Sequence, residues 1–113
     1  MAWKVNQLEP GGSKAVVELA GIVDSTNLEE FFAFINGVFK QGINRMVLDM
    51  ELTSYLSSGG LSVIIDAYRR AEKEGGKLVI ARVTDLVKDL FDVVQFERII
   101  EFYDDLDEAV AAL

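Results

Sequence analysis

Short apolar runs alternate with helical stripes along the chain, and each change of period marks an element. Trp3-Lys4-Val5-Asn6-Gln7-Leu8 alternates large apolar and polar residues, as a half-buried strand does. Pro10-Gly11-Gly12-Ser13 punctuates it. Ala15-Val16-Val17-Glu18-Leu19 follows as a second strand, pairing back on the first as a hairpin and closing through Gly21-Ile22-Val23-Asp24. Leu28, Phe31, Phe32, Ile35 and Phe39 then form one helical stripe, which reads as core. Thr26 with Glu29, or Asn27 with Glu30, has capping-box spacing at its start, and Gly42 is its stop.

Met46-Val47-Leu48 is a continuous apolar run, the mark of a strand buried on both faces, so Arg45–Asp49 is expected inside a sheet. Leu61, Ile64, Ile65, Tyr68 and Ala71 return to helical spacing until Gly75-Gly76. Lys77-Leu78-Val79-Ile80-Ala81 is another short strand, and Thr84 caps a third helix bearing Leu86, Val87, Leu90 and Phe91. Arg98–Phe102 reads as a last short strand. Asp105 with Glu108 opens a C-terminal helix carrying Leu106, Ala109, Val110 and Leu113. Strands alternating with helices predict an α/β domain whose parallel neighbours are joined by right-handed crossovers. Phe31, Phe32, Ile35, Leu48, Ile64, Ile65, Leu90 and Phe91 are the expected core.

Composition narrows the function. The 113 residues show no linker or repeat and make a single domain, 1–113; half of them are hydrophobic, so disorder is not expected. A net charge of −8 argues against nucleic-acid and anionic-membrane partners, which need a basic face. With no cysteine and no histidine, disulfides, thiol catalysis, Cys/His zinc sites and Ser–His triads are excluded. No apolar core of signal-peptide length follows Met1, so a cytoplasmic protein is expected.

Candidate chemistry gathers between the central strand and the second helix, at Ser54-Tyr55-Leu56-Ser57-Ser58-Gly59-Gly60. Small residues at a helix start leave N–H groups and hydroxyls accessible, and a phosphate is well tolerated there. Ser57 or Ser58 also serves as a helix cap, which is compatible with modification. Gly59-Gly60 belongs to no phosphate-binding loop, since neither G-x-x-x-x-G-K-[ST] nor G-x-G-x-x-G is present. Asp24, beside a helix start, and Asp49, read as a strand end, are carboxylates that could do acid–base work or hold a hard cation; capping and solvation describe each better. Asp104-Asp105-Leu106-Asp107-Glu108 lacks the glycine and spacing of a calcium loop and reads as a solvated helix start. No enzyme and no cofactor are expected.

Leu48-Asp49 followed by Ser54–Leu61 resembles the signature of STAS domains, closest to bacterial anti-sigma factor antagonists. That pattern is an apolar strand ending in Asp, an aromatic-plus-aliphatic pair, then Asp-Ser-Ser/Thr-Gly-Leu opening a helix. Gly21-Ile22-Val23-Asp24, Gly75-Gly76-Lys77-Leu78-Val79 and Val87-Lys88-Asp89-Leu90-Phe91 resemble further family segments in order, so the likeness spans nearly the whole chain. It implies a STAS-like single α/β domain: a central mixed sheet of about four to five strands, with about four helices mainly on one face. It also implies a protein-binding switch. The unmodified antagonist sequesters an anti-sigma factor, often a serine kinase, and so releases a sigma factor; phosphorylation at the helix start ends this, and a serine phosphatase restores it. The family's phosphorylated serine falls on Ser58. Asp24 and the turn Ser54, Tyr55, Leu56, Ser57, Ser58, Gly59, Gly60 would lie near the partner surface. Two positions depart from the pattern: Ser57 replaces the usual Asp, leaving Ser57 as an alternative acceptor, and Gly59 replaces a Ser or Thr. A non-phosphorylated scaffold or a small-ligand or nucleotide-binding module of the same fold stays open, as does a homodimer.

Overall fold

The structure is a computed structural model that describes residues 3–113, apart from the side chain of Glu97. Met1 and Ala2, part of the segment read above for a leader, lie outside the described residues. In chain order the elements are β1 (Lys4–Gln7), β2 (Lys14–Val23), α1 (Leu28–Lys40), β3 (Arg45–Leu56), α2 (Ser58–Lys73), β4 (Lys77–Ala81), α3 (Asp85–Val93), a 3-10 turn over Phe96–Arg98, β5 (Phe102–Tyr103) and α4 (Leu106–Ala111). The sheet runs β1-β2-β3-β4-β5, antiparallel at the first pair and parallel thereafter.

Sequential parallel order has a consequence. Each right-handed crossover to the next strand on the same side must return over the same face. So α1, α2 and α3 stack on one face, against Ala15, Val17, Leu19, Met46, Leu48, Leu78 and Ile80. α4, which follows β5, packs on the opposite face, against Val16, Val47, Val79 and Ala81. Val47, Leu48 and Met46 are fully buried, as expected for an interior strand.

β3 runs well past the Arg45–Asp49 stretch expected from its apolar run. β4 pairs only with Arg45–Asp49, whereas β2 stays paired with β3 as far as Val23 opposite Leu56. The outer half of β2 and β3 is therefore a two-stranded ribbon, with register shifts between Glu18 and Ala20 and between Gly21 and Ile22. Within it Thr53 is buried and its hydroxyl finds no partner among the described residues. Trp3 anchors β1, donating its Nε1–H to the Ala20 carbonyl at 3.2 Å and meeting the Phe31 ring edge-on at 5.2 Å. At the other end of the crossover, Gly76 packs so tightly that a Cβ there would stand 1.8 Å from the Asn44 carbonyl oxygen. No side chain fits at this helix-to-strand junction.

Several expectations are corrected. Phe32 is 54% exposed. Residues 31 and 32 project about 100° apart on a helix, and Phe31, Ile35, Val38 and Phe39 already form the buried face of α1. Ile65 and Leu90 are half-buried at the edge of the core, and Leu86 points to solvent for the reason Phe32 does, since its neighbour Val87 takes the inward position. Of the strand expected at Arg98–Phe102, only Phe102 is in the sheet, where β5 is Phe102–Tyr103; Arg98 ends the 3-10 turn and residues 99–101 are irregular. Gln95, in the left-handed region at φ 60°, turns the chain there, burying Ile100 and exposing Ile99. Asp49 is not at a strand end; it lies within β3, seven residues before Leu56.

Phe31→Ala should cost about 3–5 kcal/mol, the toll of an emptied aromatic site. Phe32→Ala should stay within about 1 kcal/mol, as an exposed position does. Urea denaturation of both variants checks the assignment, and equal losses would contradict it.

Candidate functional site

The turn from β3 to α2 is built from its backbone outward. Leu56 ends the strand with its side chain buried, and the Ser57 N–H donates to the Val23 carbonyl at 2.8 Å. Ser57, extended at φ −71° and ψ 170°, is the N-cap of α2, its Oγ accepting from the Gly60 N–H at 3.2 Å. A cap of this kind satisfies one of the donors that the first helical turn leaves unpaired. Ser57 is thus the cap and Ser58 is free of that role. Ser58 is the first residue of the helix, is exposed, and its hydroxyl makes no hydrogen bond among the described residues.

The two glycines follow from packing. A Cβ on Gly59 would sit 2.7 Å from the Leu28 Cδ2, and one on Gly60 would sit 3.0 Å from the Val23 Cγ1. Leu28 opens α1 and lies over the start of α2, so the residue after Ser58 has room for hydrogen only unless Leu28 moves. Leu56 and Gly60 are buried, and of the turn it is Ser54, Tyr55 and Ser58 that are exposed, with Ser57 and Gly59 half-buried.

Asp24 stands beside this turn, at the end of β2. Its Oδ1 accepts from the Thr26 hydroxyl at 2.6 Å and the Thr26 N–H at 2.9 Å. The Thr26 hydroxyl first, then the Thr26 N–H, hold the Asp24 carboxyl below the usual carboxylate range. Neither capping box expected at α1 forms. Asn27 is the N-cap residue, but its side chain accepts from the Asp24 N–H at 2.9 Å and donates to the Ile22 carbonyl at 2.8 Å. Its amide ties the loop to the strand end instead of capping the helix. The caps expected of Thr84 and Asp105 are present, accepting from Val87 and Glu108 N–H groups at 3.3 Å each.

Asp24 and Asp49 are not brought together. Asp49 is level with Glu18, six residues before Asp24, or roughly 20 Å along the strand. Asp49 is 5% exposed and is gripped by Arg82, whose Nη2 lies 2.6 Å from Oδ2 and whose Nε donates to Oδ1 at 3.2 Å. Arg82 also meets Glu51 at 2.7 Å. A bidentate guanidinium compensates a carboxylate at this depth. Arg82 itself leaves the sheet at φ 55°, so β4 ends where its side chain closes over β3.

Because β2 to β5 are parallel, their C-terminal ends share one edge of the sheet, where ligands and partners of open α/β sheets commonly bind. Asp24, the Ser57–Ser58 turn, Arg82, Asp85 and Asp104 all lie there. Among the described residues no three His, Cys, Asp or Glu side chains are grouped to hold a metal ion, and no helix is long and apolar enough to cross a membrane.

Comparison with known proteins agrees with this geometry. The family model for the STAS domain matches residues 6–109. BtrV of Bordetella bronchiseptica, provisionally named an anti-sigma factor antagonist, is 30% identical over 94 residues, 83% of this chain and 81% of that protein. The Thermotoga maritima protein tm1081, solved under a similar provisional name, superposes with a TM-score of 0.87 at 16% identity, covering 97% of this chain and 92% of that one. SpoIIAA of Bacillus, solved in its phosphorylated form, superposes with a TM-score of 0.74 at 18% identity, covering 98% of each. At such identities these two structures speak for the fold alone.

Ser57→Ala should cost about 1 kcal/mol through the lost cap, while Ser58→Ala, which loses no cap, should stay within about 0.5 kcal/mol. Thermal unfolding of the pair checks which serine caps. NMR titration of Asp24 should give a midpoint below the usual aspartate range, and Thr26→Val should raise it part of the way back. A midpoint that Thr26→Val leaves unmoved would remove the hydroxyl as its cause.

Proposed function

The chain belongs to the STAS domain family, and on that premise we propose that it is an anti-sigma factor antagonist whose partner binding is switched by phosphorylation of Ser58. The carrying observation is the division of labour at the start of α2. Ser57 holds the cap, Gly59 and Gly60 fix the turn, and Ser58, the first helical residue, presents an exposed hydroxyl with no hydrogen bond among the described residues. Phosphorylation adds roughly −1.5 to −2 charges. Unpaired N–H groups and the positive end of a sixteen-residue helix receive that charge without unfolding anything. A closely fitted partner, by contrast, meets new bulk and a group costly to desolvate. The modification therefore changes the surface and spares the fold.

In this reading the partner is an anti-sigma factor that is itself a serine kinase. Binding it frees a sigma factor, phosphorylation of Ser58 ends the complex, and a serine phosphatase restores it. Asp24 and the exposed part of the turn, Ser54, Tyr55, Ser57 and Ser58, contribute to the contact. The name of BtrV supports the antagonist role, and the existence of SpoIIAA in unphosphorylated and phosphorylated forms supports the switch. Ser57 is the poorer acceptor, because it is half-buried and its Oγ is held to the Gly60 N–H.

The test combines phosphopeptide mapping, after incubation with the GHKL-type kinase of the source genome and ATP, with titration of two variants. Phosphate is expected on Ser58 and none on Ser58→Ala, which should still bind. Ser58→Asp should keep the wild-type melting curve and weaken the complex. If neither serine takes phosphate and Ser58→Asp binds as tightly as wild type, the switch is lost and a constitutive scaffold takes its place.

A further inference from the structure

The sheet has two faces, and α4 covers only part of one. It packs on Val16, Val47, Val79 and Ala81, all at or before the level where β4 ends. Beyond that level the same face of the β2–β3 ribbon is bare. Ile22 stands directly opposite Tyr55, and Leu52 opposite Ala20, two pairs earlier in the ladder. Register partners in a sheet share a face. The two register shifts bring Leu52 and Tyr55, three apart in sequence, onto that one face, and bulges of this kind gather at functional sites. Ile22, Leu52 and Tyr55 are 53%, 56% and 42% exposed. Single exposed apolar residues need no explanation, but three that adjoin across two strands on an uncovered face do.

From this bare row we infer that Ile22, Leu52 and Tyr55 form the apolar centre of the docking surface for the anti-sigma partner, a partner that answers it with apolar side chains inside a basic rim. The inference rests on the antagonist reading and extends it from the turn onto the sheet. Continuity is covalent and short: Tyr55 is two residues from Ser57, Ile22 is two from Asp24, and the Ile22 carbonyl is held by Asn27 of the same loop. Charge selects the occupant. Glu18, Glu51 and Asp24 border the row on β2 and β3, while the cations beside it are Lys4, level with Glu18, and Arg82, already committed to the buried Asp49 and to Glu51. An acidic border repels a second copy of the same surface and attracts a basic one. Leu86 and Val93, equally exposed, belong to α3 on the opposite face of the sheet, remote from this row.

The probe is the purified GHKL-type kinase of the source genome that binds the wild-type chain. Ile22→Ser, Leu52→Ser and Tyr55→Ser should each weaken that complex about 10-fold or more in calorimetric titration, with melting curves unchanged, while Leu86→Ser and Val93→Ser bind as wild type. Affinity should fall as sodium chloride rises. Should a row variant fail to fold, hydrogen–deuterium exchange of the wild-type complex decides, with protection expected over residues 20–23 and 50–56. Row variants that bind normally, or strands that gain no protection, overturn the inference, and Ser58→Asp weakening in the same series leaves the antagonist reading standing. Row variants that weaken binding while Ser58→Asp does not would keep this surface and remove the phosphoswitch. Salt-independent binding overturns the basic rim. A wild-type dimer dissolved by Tyr55→Ser in sedimentation assigns the row to a second copy and overturns the inference. If no such kinase binds the wild type, the antagonist reading and the inference fall together.

Discussion

The constraint on which the rest depends is a mismatch of length. β3 has twelve residues, β4 has five and α4 has six. At about 3.3 Å per strand residue, less where it bulges, and about 1.5 Å per helix residue, β3 is roughly three times as long as α4, which spans roughly 9 Å. Nothing on the second face can cover the whole strand. The covered half, Val16, Val47, Val79 and Ala81, is apolar. The uncovered half mixes Leu52 and Tyr55 with Glu51 and Ser54, a composition that water tolerates and a partner can exploit. The interior of the fold and its outer ribbon are thus set by one strand.

The boundary between the two halves is chemical as well as geometric. Asp49 is the last β3 residue paired with β4, and it is almost wholly buried. Without a partner it would be strongly destabilising at that depth. Arg82 supplies the partner by leaving the sheet at φ 55°, a conformation uncommon for a non-glycine residue. The same step that ends β4 thus neutralises Asp49, reaches Glu51 and frees β3 to continue alone with β2.

What could be read from the sequence follows from what kind of signal carried it. Met46-Val47-Leu48 announced an interior strand because burial on both faces leaves no polar alternation, and Gly75-Gly76 announced a helix end that packing confirms at Gly76. Element order and the helix starts at Thr84 and Asp105 were legible for similarly local reasons. Phe32 was misread because an apolar residue beside a core residue satisfies a loose stripe, though a helix turns it out of the core. The length of β3 was hidden by Glu51 and Ser54, which look like the end of an apolar run. The Ile22–Tyr55–Leu52 row was hidden more deeply. Strict alternation places Leu52 and Tyr55 on opposite faces, and only the displaced register returns them to one. The Ser57–Ser58 turn was located by its small residues, but which serine caps depended on a single hydrogen bond from Gly60.

That hydrogen bond also explains how a switch can be compatible with a stiff scaffold. The turn is fixed from three sides: by Ser57 on the Val23 carbonyl, by Leu28 over Gly59, and by Val23 against Gly60. Such a turn has little freedom to respond to a new charge by moving. Ser58 takes part in none of these contacts, so a group added there is presented outward at a position defined to within the rigidity of the helix. A loosely held loop would absorb the same modification by rearranging, and the partner would feel less of it. On the proposed reading, rigidity beneath Ser58 would make its hydroxyl an effective place to alter a binding surface, and that rigidity is supplied by residues whose alteration would disturb the turn.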